Sequence, residues 1–290
     1  MFRNQRTIER PVEIRGIGLF GSTDAKVRLL PAPECHGIAF LRTDLADRIR
    51  IPALIRYVIS RGRRTAIGRH GAVVEVIEHL MAALAGLQVD NCLIEIDGPE
   101  PPSVDGSALP FVEAIDQAGI AEQSVSRRVC VIQERECLFA PSGRGRIEMG
   151  ASAPGTLHIS YDLDYDAPAI GRQSAETIVT PETFTREIAF ARTFVLESEV
   201  VLLQAAGLGT KATTESLLVF GDNGPINNQL RADAECARHK ILDCIGDFAL
   251  LGCDLQGSFQ CVQSGHALNH DLVRHLDKQL RLAERVPAAG

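Results

Sequence analysis

The stretch Ala237-Arg-His-Lys-Ile-Leu-Asp-Cys-Ile-Gly-Asp247 places His239, Asp243 and Asp247 at four-residue intervals, with Ile241, Ile245 and Phe248 supplying an apolar face. Four residues advance a helix by slightly more than one turn, so the spacing predicts a helix on which His239 and Asp243 project side by side. An imidazole nitrogen and a carboxylate oxygen placed in this way can share one divalent cation. Asp247 falls a turn further on and slightly rotated, where a carboxylate orients a neighbouring group instead of binding metal itself. The same spacing also describes a surface helix with a polar stripe, and two ligands do not make a site. A third ligand has to come from elsewhere in the chain.

A second histidine-bearing helix is expected from Glu75 to Leu87, with Ile77, Leu80, Leu84 and Leu87 on one side and Gly86 near its end. Each of the two helices is followed by an aspartate and a strand, Asp90 to Ile96 and Asp254 to Val262. Upstream, Arg127 to Glu136 resembles Gln5 to Glu13, and Leu157 to Leu163 resembles Gly37 to Leu45. Strands are also expected at Arg6 to Ile14, Ala25 to Leu30 and Ile38 to Arg42, and a further helix from Ala108 to Ala118. The order of elements therefore repeats. The expected fold is α+β, two similar tandem domains over residues 1–123 and 124–290, dividing near Ala121 to Ser126. Two unrelated halves are the competing reading.

If the halves pack about a pseudo-twofold axis, the two helices can meet and His79 joins His239 and Asp243. Three protein ligands with an open fourth position is how catalytic zinc is usually held. Glu78, adjacent to His79, then lies where a general base acts on water beside the metal. Alone, a buried glutamate more often serves structure. His266 follows a strand in the Gly-containing turn Gln263 to Asn269, a loop-borne candidate acid that Asp247 could orient; a solvated loop histidine is the plainer alternative.

Composition narrows the rest. A chain of 290 residues with 45% hydrophobic and 23% charged residues describes a folded protein. The net charge of -7 and 5% aromatic content, without tryptophan, argue against nucleic-acid binding. The N-terminal residues lack the apolar core of a signal peptide, and no apolar run is long enough to span a bilayer. Eight cysteines without a CxxC pair read as reduced thiols, and a cytoplasmic location is expected.

Three motifs, Val76-Ile-Glu78-His79-Leu to Leu87, Arg238-His239-Lys240-Ile-Leu-Asp243-Cys-Ile-Gly-Asp247 and Ser264-Gly-His266-Ala-Leu-Asn269, resemble those of UDP-3-O-acyl-N-acetylglucosamine deacetylases. These are zinc-dependent enzymes of lipid A biosynthesis. Asp105 to Phe111, Ala191 to Phe194 and Arg42 to Leu45 add to a likeness that runs in order from Arg6 to Asn269. The resemblance implies small sheets layered with helices and an active site between the domains. It implies zinc (Zn2+) on His79, His239 and Asp243, Glu78 as base, and His266 as acid supported by Asp247. It further implies Thr193 as an oxyanion contact, Lys240 and Phe194 as substrate contacts, and an acyl passage in a second-domain insert that includes Tyr161 to Ile170. The implied partner is a small molecule, an acylated UDP-amino sugar, met by a monomer with at most transient contact to a membrane surface.

This sequence departs from the family pattern at three places. Phe20 replaces a histidine, Glu75-Val76 replaces a polar pair before the metal helix, and Lys211 to Glu215 replaces a glycine-rich stretch. These changes leave room for a related deacetylase with an altered pocket. A non-catalytic paralogue that only binds acylated sugar nucleotides is the reading from another class; it would be expected to lose Glu78, His266 or a ligand, and none is lost.

Overall fold

The computed structural model describes residues 3–285. Its first half runs through β1 (Asn4–Ile8), β2 (Val12–Ile17), β3 (Asp24–Pro31), β4 (Ile38–Arg42) and β5 (Arg50–Pro52). A small sheet of β6 (Val58–Ile59), β7 (Ala66–Arg69) and β8 (Ala72–Glu75) leads into α1 (Glu78–Gly86), β9 (Cys92–Ile96), α2 (Leu109–Ala118) and β10 (Ile120–Ser126). The second half begins with β11 (Val129–Val131), β12 (Glu136–Phe139), β13 (Arg146–Gly150), β14 (Leu157–Asp164) and β15 (Arg172–Ile178). A helical turn, α3 (Pro181–Thr183), continues as a π-helical turn at Phe184–Ile188. Then follow β16 (Phe194–Leu196), α4 (Glu197–Ala205), β17 (Leu218–Gly221) and β18 (Gly224–Pro225). The described chain closes with α5 (Glu235–Phe248), β19 (Asp254–Val262) and α6 (His266–Arg285).

The two main sheets share a five-strand order, to which the second adds β11 parallel to its central strand. One is ordered β2-β3-β9-β4-β5 and the other β12-β13-β19-β14-β15. In each, the central strand is antiparallel to one neighbour (β3, β13) and parallel to the other (β4, β14), whereas both edge pairs are antiparallel. β19 shows why such strands form: Leu255, Phe259 and Cys261 alternate with more exposed residues, so one face is buried at period two. The fold is α+β, with two similar units in tandem. The expected dividing stretch lies within β10, which pairs antiparallel with β1.

The strand expected over Arg6 to Ile14 is two strands. Pro11 has no N–H for a ladder, and the chain turns through residues 9–11 to leave β1 paired with β10 and β2 paired with β3. The helix with the polar stripe is not a surface helix. α5 packs on α1, α6, β14 and β15, so both its apolar face and its His239, Asp243 and Asp247 stripe are buried. The approach to α1 depends on Gly246, where an added Cβ would lie 2.1 Å from the Glu78 carbonyl oxygen.

An ion quartet joins the halves at the far end of these helices. Arg3 reaches Asp90 at 2.6 Å and Asp254 at 2.7 Å, and Arg127 reaches the same two carboxylates at 2.9 and 3.1 Å. Asp90 precedes β9 as Asp254 opens β19, and Arg3 precedes β1 as Arg127 precedes β11, so the quartet is itself twofold-like.

Candidate metal centre and active site

Val76 adopts a φ of 57°, a conformation that a β-branched residue rarely takes, and it turns the chain from β8 directly into α1. Glu78 and His79 are thereby set at the start of α1, facing α5. His239 Nε2 lies 3.4 Å and His79 Nε2 3.8 Å from Asp243 Oδ1. The two imidazoles stand nearly perpendicular, 86° apart, with centroids separated by 5.0 Å. One ligand atom from each of the three residues falls within 4.8 Å of the others.

This set fits a divalent cation on three grounds. His239 Nδ1 lies 3.1 Å from the Ala191 carbonyl oxygen, which can only accept, so the proton sits there and Nε2 offers its lone pair to the centre. Asp243 Oδ2 accepts from Lys240 Nζ at 2.8 Å, but Oδ1 is buried without a hydrogen-bond partner among the described residues. A buried anionic oxygen left unpaired is unfavourable unless something positive meets it. Finally, the protonation states suit binding. Burial and the neighbouring His239 push His79 down to about 3, and burial also lowers His239. Burial opposes charge on Asp243, yet Lys240 and the imidazoles outweigh it and hold the carboxyl well below its usual range.

The two candidate proton carriers, Glu78 and His266, lie beside this set. Glu78 is pushed up to about 7, chiefly by burial, with the charge of His266 opposing and those of Asp243 and Asp247 adding. Its Oε2 accepts the Thr65 N–H at 3.1 Å, and its Oε1 lies 3.9 Å from His266 Nε2. His266 Nδ1 bonds Asp247 Oδ2 at 2.8 Å. Burial disfavours the imidazolium, but Asp247, Asp243 and Glu78 outweigh that and raise His266 to about 10. Instead of lying in a loop, His266 is the first residue of α6, because the turn ends at Gly265, whose carbonyl accepts the Asn269 N–H at 3.0 Å.

Asp247 is fully buried and is held from several directions. Asn269 Nδ2 donates to Oδ2 at 2.9 Å, the Thr65 hydroxyl donates to Oδ1, and His270 Nε2 lies 3.5 Å from Oδ1. Thr65 Oγ1 is also 2.9 Å from His270 Nε2. Sequence reasoning missed Thr65, Asn269 and His270. The four-residue interval from His266 to His270 was a usable helical signal, whereas nothing near Thr65 announces its role.

Thr193, Phe194 and Lys240 meet the same space. A buried Arg192–Glu235 pair at 2.8 Å fastens the residue before Thr193 to the first residue of α5. Thr193 N donates to Gly106 O and its carbonyl accepts from Leu218 N, both at 2.8 Å. The Phe194 ring lies 6.2 Å from His239, with Lys240 Nζ 5.5 Å above it. A cavity of about 610 Å³ is lined by every expected site residue except Asp247, which stands behind His266. Its apolar wall comes from Val200 and Leu203 of α4 and from Leu217 and Val219. Tyr161 and Leu163 instead alternate inward in β14 and are buried in the core, so of the 161–170 stretch it is Tyr165 that reaches the cavity.

The three departures adjoin one another at the mouth of this cavity. Arg64 stacks over the Phe20 ring at 4.4 Å and donates to Glu75 at 2.7 Å. Lys211 N donates to Ser22 Oγ at 3.1 Å, and Gly209 N to Phe20 O at 3.0 Å. The arginines of residues 61–64 are paired as well, Arg61 with Glu75 and Arg63 with Glu199 of α4.

The sequence pattern of the UDP-3-O-acyl N-acetylglycosamine deacetylase family matches residues 5–278. Among similar curated proteins, the UDP-3-O-acyl-N-acetylglucosamine deacetylase of Myxococcus xanthus is 40% identical over 288 residues, covering 98% of this chain and 90% of that protein. Its namesake in Oleidesulfovibrio alaskensis is 41% identical over 282 residues, with 96% and 90% covered. That of Brucella melitensis is 38% identical over 274 residues, with 94% of each covered. The chain belongs to the UDP-3-O-acyl-N-acetylglucosamine deacetylase family.

Proposed function

We propose that this protein hydrolyses the N-acetyl amide of UDP-3-O-acyl-N-acetylglucosamine to the free amine and acetate, a committed step of lipid A biosynthesis. The observation that carries this reading is the unpaired, buried Asp243 Oδ1 facing two imidazole nitrogens, with Glu78 and His266 alongside. His79, His239 and Asp243 would hold Zn2+. When bound there, the cation supplies Lewis acidity, polarising the amide carbonyl and lowering the pKa of water toward ~7. Glu78 takes the proton from the attacking water. The Thr193 hydroxyl donates to the oxygen that becomes negative as the carbonyl carbon turns tetrahedral. His266, protonated and steadied by Asp247, gives its proton to the departing nitrogen, without which the intermediate collapses backward. Lys240 and Phe194 contact the substrate, and the wall from α4 to Val219 receives the acyl chain.

Among the described residues no helix is long and apolar enough to cross a membrane. All eight cysteines are free thiols, which fits our placement of the protein in the reducing cytoplasm. The Phe20–Arg64–Glu75 patch supports a second reading, in which a related sugar nucleotide with a different acyl group is the substrate.

Acetate release from the 3-O-acylated UDP-sugar, compared with UDP-N-acetylglucosamine, tests the proposal. Much faster release from the acylated compound is expected, and equal rates would remove the acyl passage. Folded protein without stoichiometric zinc would overturn the metal assignment. Glu78→Gln and His266→Ala are each expected to retain zinc while losing ~10²–10⁴-fold in turnover; full activity in either would refute its role.

A further inference from the structure

A second cavity, of about 700 Å³, lies between the halves and shares no lining residue with the first. Its floor is built from the two helices that carry the metal set: Met81, Leu84 and Ala85 of α1, and Ile245 and Phe248 of α5 with Ala249 just beyond. The twofold-like relation of the halves explains this floor, because the two helices contribute matching apolar triplets. It also explains the Arg3–Asp90–Arg127–Asp254 quartet at the cavity edge, whose charges balance.

The rim breaks the symmetry. His36, Arg50 and Arg56 line it from the first half, whereas the second half offers Pro154, Gly155 and Val179. Among the described residues Arg50 Nη2 hydrogen-bonds only with His36, 3.2 Å from both its Nε2 and its carbonyl oxygen, and Arg56 lies 5.2 Å over the Tyr57 ring. Neither guanidinium has a carboxylate partner among the described residues. Arg69 adds a third positive charge, 5.8 Å from the same ring. The side-chain hydrogen bond from Arg56, with the charges of Arg56, Arg69 and Arg50, holds the Tyr57 hydroxyl below its usual range. In a chain of net charge -7, this is a local positive field beside a hollow of small-ligand size with an apolar floor.

We propose that this cavity binds an amphipathic anion: one aliphatic chain lying on the α1–α5 floor and a carboxylate or phosphate head taken by Arg50 and Arg56. A guanidinium's planar fork matches either head group bidentately, and the apolar floor discriminates against the head group alone. The bound chain touches both helices that supply metal ligands, so the site is placed to act as an effector site.

Titration calorimetry of the full-length protein with dodecyl phosphate and with sodium myristate, kept below micellar concentrations, tests this. Inorganic phosphate and dodecanol serve as head-only and tail-only probes. One molecule of each anionic amphiphile is expected at a site that weakens at least tenfold in the double variant R50A/R56A. That site should be lost when Ala85→Trp fills the floor, and retained when Leu203→Trp obstructs the other cavity. Preference for dodecyl phosphate over myristate identifies a phosphate head, and the converse a carboxylate. Absence of binding, undiminished binding in R50A/R56A, or binding abolished by Leu203→Trp alone would each overturn the proposal. Because R50A/R56A changes only rim side chains, the test stands even if Ala85→Trp fails to fold.

Discussion

Glu78 and His266 face one another at 3.9 Å with proton affinities displaced in the same direction, to about 7 and about 10. The consequence for pH follows from the roles proposed. A base must be ionised, so kcat/KM should fall as pH drops through the Glu78 value. An acid must be protonated, so it should fall again as pH passes through the His266 value. A cation beside Glu78 favours its charged form and moves the acid limb below 7 in the metal-loaded enzyme. A pH–rate profile flat from about pH 5 to about pH 11 would contradict both assignments. Thr65 is the other residue on which these groups converge, since its hydroxyl serves Asp247 and His270 while its N–H serves Glu78. Thr65→Val keeps the shape and removes the hydroxyl, leaving Asp247 short of a donor. The expected loss is about 1–3 kcal/mol in urea denaturation, with a shift of the alkaline limb. An unshifted limb would make Thr65 purely structural. These contacts span sequence separations of up to 205 residues, which is why no local pattern revealed them.

At the scale of elements, the crossing of α1 and α5 decides whether a site exists. Gly246 lets the Glu78 backbone approach, so Gly246→Ala must push the helices apart. Overpacking of this kind typically costs about 1–3 kcal/mol, and here it also separates His79 from His239 and Asp243. Chelator competition should show weaker metal binding in addition to lower stability. Unchanged affinity would mean the helices yield without moving the ligands. Both helices were legible in sequence from their spacing, and so was their pairing, because each is followed by an aspartate and a strand. The break between β1 and β2 was not read, although Pro11 marks it, because its consequence appears only in the pairing of β1 with β10 and of β2 with β3. The cavity wall was likewise hidden: the apolar run Val200 to Leu203 in α4 is continuous, so no period separates the residues that line the cavity from those that face solvent.

Across the whole molecule, the Arg3–Asp90–Arg127–Asp254 quartet is a charged fastening between halves, alongside the Arg63–Glu199 and Arg231–Asp105 pairs. Each arginine backs up the other, so Arg3→Ala or Arg127→Ala leaves both carboxylates with one partner, whereas the double variant strands them. Thermal or urea denaturation should show the double variant losing about 0.5–3 kcal/mol more than the sum of the singles. Strict additivity would mean the two arginines act independently. The duplication could be read from the order of elements, whereas the quartet needed the folded structure, because Arg3 and Asp254 are 251 positions apart.

The division of ligands between the halves has a consequence for how the protein is made. His79 belongs to the first unit, and the proposed ligand set stays incomplete until Asp243, 243 − 79 = 164 residues later, has left the ribosome. At roughly 5–20 residues per second the growing chain carries Glu78 and His79 for roughly 8–30 seconds before α5 is made. Loading of the proposed metal would therefore be a late event of biosynthesis, and a chain truncated before α5 carries His79 without His239 or Asp243.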